Sequence, residues 1–418
     1  MKPGLRTIRS LLGELSHPEG SYPIVHIAGT NGKGSTASMI ASILTASGYR
    51  TGLYTSPHLV RFHERIRVDG REISDWSLAR LTERLRAVIL STGATFFEAT
   101  TAIALKYFQE RKVDVAVVET GLGGRYDATN AVTSVLAVIT TVGLDHTEQL
   151  GPTTRSIAFQ KGGIIKPHVP CLTAVRDPGA LSVLGAIARR KDAPLIHALT
   201  RSSFRVTGDT LAGLVGELRT PSGRYPDLRV PLAGEHQGMN VRLAVMAAEE
   251  LKQRCGFTLI SRRSILSGLV DLRRNTGLRG RLELLSPSVI LDVAHNPDGA
   301  GRLTCALTKL LARKAVIVFG AMKDKDVPAM AGYFRELADL VIAVAPGTGR
   351  ALDSRSVAEV FRAEGIPAID GRTVPRGVSL GLREREPGEP LVITGSHYVV
   401  GEAISFIGEK VSGNRGKT

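Results

Sequence analysis

Short apolar runs alternate along the chain with longer stretches of helical spacing. The first run covers residues 23–28; a Gly-rich turn follows, then STASMIASILTAS over 35–47, small and apolar, closed by Gly48. That piece predicts a helix with a glycine stop. Residues 52–55, 113–119 and 134–140 read as further strands. Near-continuous β-branched runs of this length suit strands covered on both faces, as in a parallel sheet. The pattern restarts at 288–294, continues with a helical stretch over 299–314, and returns to apolar runs at 315–320, 340–344 and 391–395. Strands alternating with helices in this way predict βαβ units. Between the two series lies GLVDLRRNTGLRG, which is polar, basic and Gly-containing. The expected division is therefore 1–277 and 278–418. Residues 195–232 are weakly periodic and rich in turn residues, so strands or loops at the back of the first domain are expected there. The fold class expected is α/β: a mostly parallel P-loop-type sheet in an N-terminal ATPase domain, then a smaller Rossmann-like α/β domain.

Composition narrows the class without changing it. With 418 residues, 43% of them apolar and 22% charged, the chain is neither disordered nor collagenous nor a disulfide mini-protein. Its 45 glycines and 5% aromatics fit a protein with many strand-to-helix turns. The charge balance is 54 − 39 = +15, which suits polyanionic partners, among them nucleotides. The basic residues are scattered, with the densest groups at 262–263, 273–274 and 279–281, so neither a nucleic-acid arm nor a membrane anchor is indicated. Cys171, Cys255 and Cys305 lie far apart and are odd in number, which argues for a reducing compartment. The start has no signal-peptide core and no stretch approaches a membrane span, so a cytoplasmic enzyme is expected.

Ligands of open parallel sheets sit beyond the carboxyl ends of the strands. The polar residues that end the apolar runs are thus the candidates: the turn at 29–35, Ser56, Glu119, residues 141–146, Asp292 and Ser396. Thr30, Asn31, Gly32, Lys33, Gly34, Ser35 and Thr36 join a strand to a helix, where a phosphate cradle belongs. Glycines admit backbone N–H groups close to phosphate oxygens, the helix N-terminus favours negative charge, and Lys33 adds a point charge. Ser35 or Thr36 offers a hydroxyl to Mg²⁺. The spacing is a shortened variant of G-x-x-x-x-G-K-[ST]: the first glycine is Gly29, and Gly34 separates Lys33 from Ser35.

The form GTNGKGS resembles the Mur ligase superfamily, specifically folylpolyglutamate synthase/dihydrofolate synthase. The family's other signatures follow in order: TSPHL at 55–59 with RFHERIRVDG after it, TFFEATTAIAL at 95–105, ETGLGGRYDATN at 119–130, DHTEQLGPT at 145–153 and IAFQKGGIIKP at 157–167. The second half adds GEHQGMN at 234–240, GRLE at 280–283, LDVAHNPDGA at 291–300, FGAMKDKD at 319–326 and TGSHYVVGE at 394–402. The resemblance covers essentially the whole chain.

It implies ATP-dependent joining of L-glutamate to dihydropteroate, or to the glutamyl tail of a folate, with ATP and two Mg²⁺ ions. Ser56, Glu119 and His146 match the family's magnesium ligands, and Ser35 a ligand of the nucleotide-linked ion. Lys161 matches a lysine that is carbamylated in the family, although Gln160 stands where a glutamate is usual. Thr95, Phe96, Phe97 and Glu98, with Tyr126, Asp127 and Ala128, match pterin-binding segments; aromatic rings stack on a pterin and a carboxylate accepts from its amino group. Asn240, Arg281 and Asp292 match ATP contacts, Arg281 at the γ-phosphate and the other two at the adenosine end. His295 and Ser396 lie in motifs near the phosphate and the incoming glutamate. A monomer acting on small molecules, without nucleic acid or membrane, is implied. Two rivals are a peptidoglycan Mur ligase, against which stands a phosphate loop beginning at residue 29, and a nucleic-acid-binding P-loop ATPase suggested by the charge.

Overall fold

The structure, a computed structural model, describes residues 4–415. Seventeen strands form three sheets. The first holds β1 (Ile24–Ala28), β2 (Thr51–Tyr54), β3 (Ile66–Val68), β4 (Arg71–Glu72), β5 (Val115–Glu119), β6 (Leu136–Ile139), β7 (Cys171–Thr173) and β8 (Leu195–His197). Their spatial order is β4-β3-β2-β5-β1-β6-β7-β8, parallel from β2 to β8, with β3 and β4 antiparallel at one edge. β1, β5 and β6 are buried at every position. The unbroken apolar runs reflect this, because helices cover both faces of the sheet.

Residues 195–232 are more ordered than their weak periodicity suggests. They hold β8, a one-turn helix at Ala198–Arg201, and an antiparallel meander of β9 (Ser203–Thr210), β10 (Gly213–Thr220) and β11 (Gly223–Val230). Bulges interrupt the register near Val215–Gly216 and Gly216–Leu218. Each bulge shifts alternation by one residue, which is why no clean two-residue period shows in the sequence. Leu214, Leu218, Tyr225 and Leu228 pack into the same core as the helix Lys33–Ala46 and the helix Gln237–Arg254.

The third sheet holds β12 (Glu283–Ser286), β13 (Val289–Leu291), β14 (Ala315–Phe319), β15 (Ala338–Ala345), β16 (Ala368–Thr373) and β17 (Leu391–Thr394). Its order is β12-β13-β17-β14-β15-β16, with β12 antiparallel and the rest parallel. Phe319, Phe334 and Phe361 form an edge-packed aromatic trio in one of its cores. The switch of strand order places the ends of β13, β14 and β17 side by side. Among the described residues no helix is long and apolar enough to cross a membrane.

Candidate active site

The carboxyl edges of both large sheets open on one cavity of about 580 Å³. From the first sheet come the turn after β1, Ser56 after β2, Glu119 at the end of β5, and Asp145 and His146 after β6. From the third come Asp292 to His295 after β13, Met322 and Lys325 after β14, and Ser396 to Tyr398 after β17. Every candidate named from the sequence lines this cavity except Thr36 and positions 141–144. Thr36 is fully buried, and its hydroxyl points to Asn240 Oδ1 at 3.4 Å. The magnesium hydroxyl and cavity-wall position considered for Thr36 therefore fall to Ser35 alone.

The phosphate turn is shaped by contacts beneath it. Thr30 N–H donates to Thr141 O at 2.8 Å, and Thr140 Oγ1 donates to Asn31 O at 2.7 Å. Gly32 has a left-handed φ of +84°, and a Cβ there would lie 2.4 Å from Asn240 Oδ1. Asn240 thus sits against the turn itself, held by its own Nδ2–H to Gln237 Oε1 at 2.7 Å. A left-handed alanine costs about 1–2 kcal/mol. Gly32→Ala is therefore expected to weaken ATP binding by roughly tenfold, read by calorimetric titration; an unchanged affinity would show that the turn tolerates the strain.

Charge converges on the next turn of the helix. A Cβ at Gly34 would meet Arg281 Nη2 at 3.5 Å and Glu119 Oε2 at 3.6 Å. Glu119 Oε2 accepts from Ser56 N–H at 3.1 Å, and burial raises its pKa against the pull of Lys33. Arg281 is covered and lies near both Glu119 and Asp292. Asp292 uses both oxygens on its own strand turn, accepting from Leu282 N–H at 2.9 Å and Ala294 N–H at 2.8 Å. It fixes the Arg281 segment.

Lys161 closes the floor at 3% exposure. Burial, then the nearby Lys33 ammonium, lowers its pKa to about 7. Its amine is thus partly neutral at physiological pH, whereas a solvated lysine is a cation.

The aromatic wall divides in two. Phe96 is 61% exposed, edge-on to Phe62 and beneath the Arg65 guanidinium, while Phe97 turns inward against Tyr54 and Gly121. Tyr126 faces the opening. The two carboxylates of this wall are already engaged. Glu98 Oε2 caps its helix, accepting from Thr95 N–H at 2.8 Å and Thr95 Oγ1–H at 2.7 Å. Asp127 accepts from Leu122 N–H, Thr129 N–H and Thr129 Oγ1–H. Both hold the wall in shape; Asp127 uses both of its oxygens in doing so, whereas Glu98 keeps Oε1 without a protein partner among the described residues. The Thr-x-x-Glu spacing of residues 95–98 is a capping box and was legible as one.

Sequence reasoning named Asn31 and, within 141–146, Asp145, but missed the partners that bridge to them from the other half: Lys325, Asn296 and Asp298. Lys325 Nζ donates to Asp145 Oδ1 at 2.8 Å, with both side chains about nine-tenths covered. Burial alone would lift the Asp145 carboxyl, yet Lys325, His146 and His295 outweigh it and hold it well below the usual carboxylate range. Asn296 Nδ2 donates to Asp145 Oδ2 at 3.0 Å, and Asn31 Nδ2 donates to Asp298 Oδ2 at 2.7 Å. Arg65 was also missed: it is 8% exposed, lines the cavity, and gives its Nε–H to His58 Nδ1 at 2.8 Å. Only a basic residue in RFHER signalled it, with nothing local to separate it from its solvated neighbours.

Two family models match this chain: the Mur ligase middle domain over residues 27–248 and the Mur ligase, glutamate ligase domain over 280–397. The chain belongs to the Mur ligase family. Within that family it groups with the folylpolyglutamate/dihydrofolate synthases. The ligase is 40% identical over 341 residues to the dihydrofolate synthase/folylpolyglutamate synthase of Bacillus subtilis, covering 79% of this chain and 78% of the relative. It is 36% identical to the folylpolyglutamate synthase of Lacticaseibacillus casei, over 94% and 92%. The Mycobacterium tuberculosis folylpolyglutamate synthase solved with ADP superposes with a TM-score of 0.87 at 31% identity, covering 97% of this chain and 94% of that one. An Escherichia coli enzyme solved with DHPP and ADP gives 0.88 at 28% identity, over 98% and 94%. This protein is an ATP-dependent ligase of the same α/β architecture.

Magnesium was tested against the donors present. Among the described residues no three or more His, Cys, Asp or Glu side chains gather as a metal cage. Mg²⁺ does not need one, because it keeps waters and phosphate oxygens in its shell and takes one or two protein oxygens. Ser35, Ser56 and the buried Glu119 supply hard oxygens around the phosphate turn, so the donor set fits. His146 sits beside the second half, with Nε2 at 3.5 Å from Lys325 Nζ.

Proposed function

We propose that this ligase adds L-glutamate to dihydropteroate, to the glutamyl tail of a reduced folate, or to both, through an acyl phosphate. The observation that carries the reading is the convergence of two sheet edges on one cavity, with Lys33 and Arg281 at the phosphate turn and the open Phe96 and Tyr126 rings at another wall. Residues 1–277 form the lobe that binds the nucleotide and the acceptor, and 278–418 the lobe that covers them.

A carboxylate resists attack by an amine because oxide is a hopeless leaving group. Transfer of the γ-phosphoryl group to the acceptor carboxyl turns that oxygen into part of a phosphate, which departs readily. Thr30, Asn31, Gly32, Lys33, Gly34 and Ser35 hold the phosphates, Arg281 offers its fork of donors to the γ-phosphate, and Asn240 steadies the turn. Ser35, Ser56, Glu119, His146 and a carbamate on Lys161 would hold two Mg²⁺, which supply positive charge to the phosphate oxygens. Phe96 and Tyr126 take the pterin ring, while Thr95, Phe97, Glu98, Asp127 and Ala128 set its wall. Ser396, His295 and Asp292 belong to the lobe facing the acyl centre. Closure of the lobes keeps water from the acyl phosphate. The +15 charge suits ATP, glutamate and a polyglutamyl tail. The protein works as a cytoplasmic monomer on small molecules, without nucleic acid or membrane.

Purified protein is expected to release phosphate from ATP only when a pteroate-type acceptor and L-glutamate are both present. Mass spectrometry of incubations with dihydropteroate and with tetrahydrofolate should show one or more added glutamyl residues. Phosphate release that needs neither co-substrate would overturn the assignment.

A further inference from the structure

The amine that attacks an acyl phosphate must be uncharged, yet an amino acid arrives at neutral pH as an ammonium. Some group in the cavity has to accept that proton. Each carboxylate is held by the protein through at least one oxygen: Glu98 Oε2 and both Asp127 oxygens in capping, Asp292 on two backbone N–H groups, Asp145 on Lys325 and Asn296, and Glu119 Oε2 on Ser56 beside Arg281. Among the imidazoles, His236 faces the Gln237 amide and His146 faces Lys325. His295 Nδ1 lies 2.8 Å from Val293 O, and a carbonyl only accepts, so Nδ1 carries the hydrogen. Its Nε2 is 3.7 Å from Asp145 Oδ2.

His397 is different. It lies in the cavity wall at the first turn of the helix His397–Arg415, and among the described residues its ring makes no hydrogen bond or ion pair. Its ring contact is with His295, centroid to centroid 5.3 Å. The groups facing it are His295 from the β13 turn, Arg281 from the segment before β12, Lys33 from the phosphate turn and Arg65 from the first lobe. Arg281, Lys33 and Arg65 are the cations that, on the proposed reading, surround the phosphoryl group and the substrate carboxylates.

We propose that His397 is the base for the incoming amino acid: its free ring nitrogen accepts one proton from the ammonium and holds the amine towards the acyl carbon. The neutral amine then forms the C–N bond, giving a tetrahedral centre. The C–O bond to phosphate breaks with its electron pair, and the second amine proton leaves with the phosphate. The proton on His397 returns to solvent when the cavity opens. In the empty protein, burial and then the surrounding cations keep this imidazole neutral, which leaves its lone pair free. Bound triphosphate offsets those cations, so the ring becomes a stronger base once the nucleotide is in place. The two lobes thereby link proton acceptance to loading of the site.

This inference rests on the ligase reading, and its test separates the two. Hydroxylamine is mostly uncharged at neutral pH and traps acyl phosphates as hydroxamates without needing a base. With glutamate, His397→Asn and His397→Ala are expected to lose on the order of 10²-fold in kcat. With hydroxylamine in place of glutamate, each should form hydroxamate within about threefold of the unsubstituted enzyme, which also shows that the site is folded. The glutamate rate of the variants should climb about tenfold per pH unit as free amine becomes available, against a flatter profile for the unsubstituted enzyme. Equal losses with both nucleophiles, or an unaltered pH profile, would overturn the role of His397. Failure of the unsubstituted enzyme to form either product would overturn the ligase reading instead.

Discussion

Lys33→Met is expected to lower kcat/KM for amide formation by on the order of 10³-fold. Lys33 is the one lysine of the phosphate turn, and its Nζ rests 3.3 Å from Thr30 O, folded back over the loop it serves. Methionine keeps most of the stem and removes only the charge. The loss falls on phosphoryl transfer, where charge builds on the γ-phosphate, so the hydroxylamine reaction should fall with the glutamate reaction. Steady-state phosphate release, with thermal unfolding as a control for folding, measures it. A loss smaller than threefold would show that Arg281 and the backbone N–H groups suffice, and would remove Lys33 from the catalytic set.

Lys161→Ala is expected to cost on the order of 10²-fold in activity, with part of it returned by added formate or acetate. A permanent ammonium on the floor of a site that gathers phosphates and magnesium would repel the metal. Burial and Lys33 lower this amine to about pKa 7, so a large share of it is neutral at physiological pH. A neutral amine adds carbon dioxide: the N–C bond forms, one proton leaves to solvent, and an uncharged amine becomes an anion. Carbon-13 bicarbonate should give a carbamate signal in the unsubstituted enzyme that is missing from Lys161→Ala and fades as pH drops below about 7. An amine that stays unmodified in bicarbonate with metal present would sink the idea, whatever the activity of the variant. Without carbon dioxide the same shift has a stability signature. The folded state binds fewer protons than the unfolded chain above about pH 7, so this group adds stability as pH rises from there towards the ordinary lysine range. Because Lys33 helps lower the amine, Lys33→Met should raise it again, and the two substitutions should not combine additively.

Local pattern carried much of the architecture. The strands β1, β5, β6, β14 and β17 are buried along their whole length and stand out as apolar runs. The phosphate turn was legible because its chemistry is contiguous, from Thr30 to Ser35. The meander β9–β11 was blurred because its bulges break the alternation on which strand reading depends. The bridging contacts were invisible for another reason: Asn31 and Asp298 stand 267 positions apart, and Asp145 and Lys325 stand 180 apart. Nothing in the spacing of a single chain marks such pairs. Thr36 and Asp127 show the opposite error. Their residue types suit ligand binding, but buried polar atoms must be satisfied, and here the protein's own backbone and side chains satisfy them first.

Asn31 belongs to the cradle, yet its amide is gripped from across the cleft by Asp298 and Asn296. A cradle finished by the opposite wall has no complete form while the walls stand apart. On the proposed reading, grasping the triphosphate and drawing the halves together are a single event, and each turnover ends when that clasp is undone.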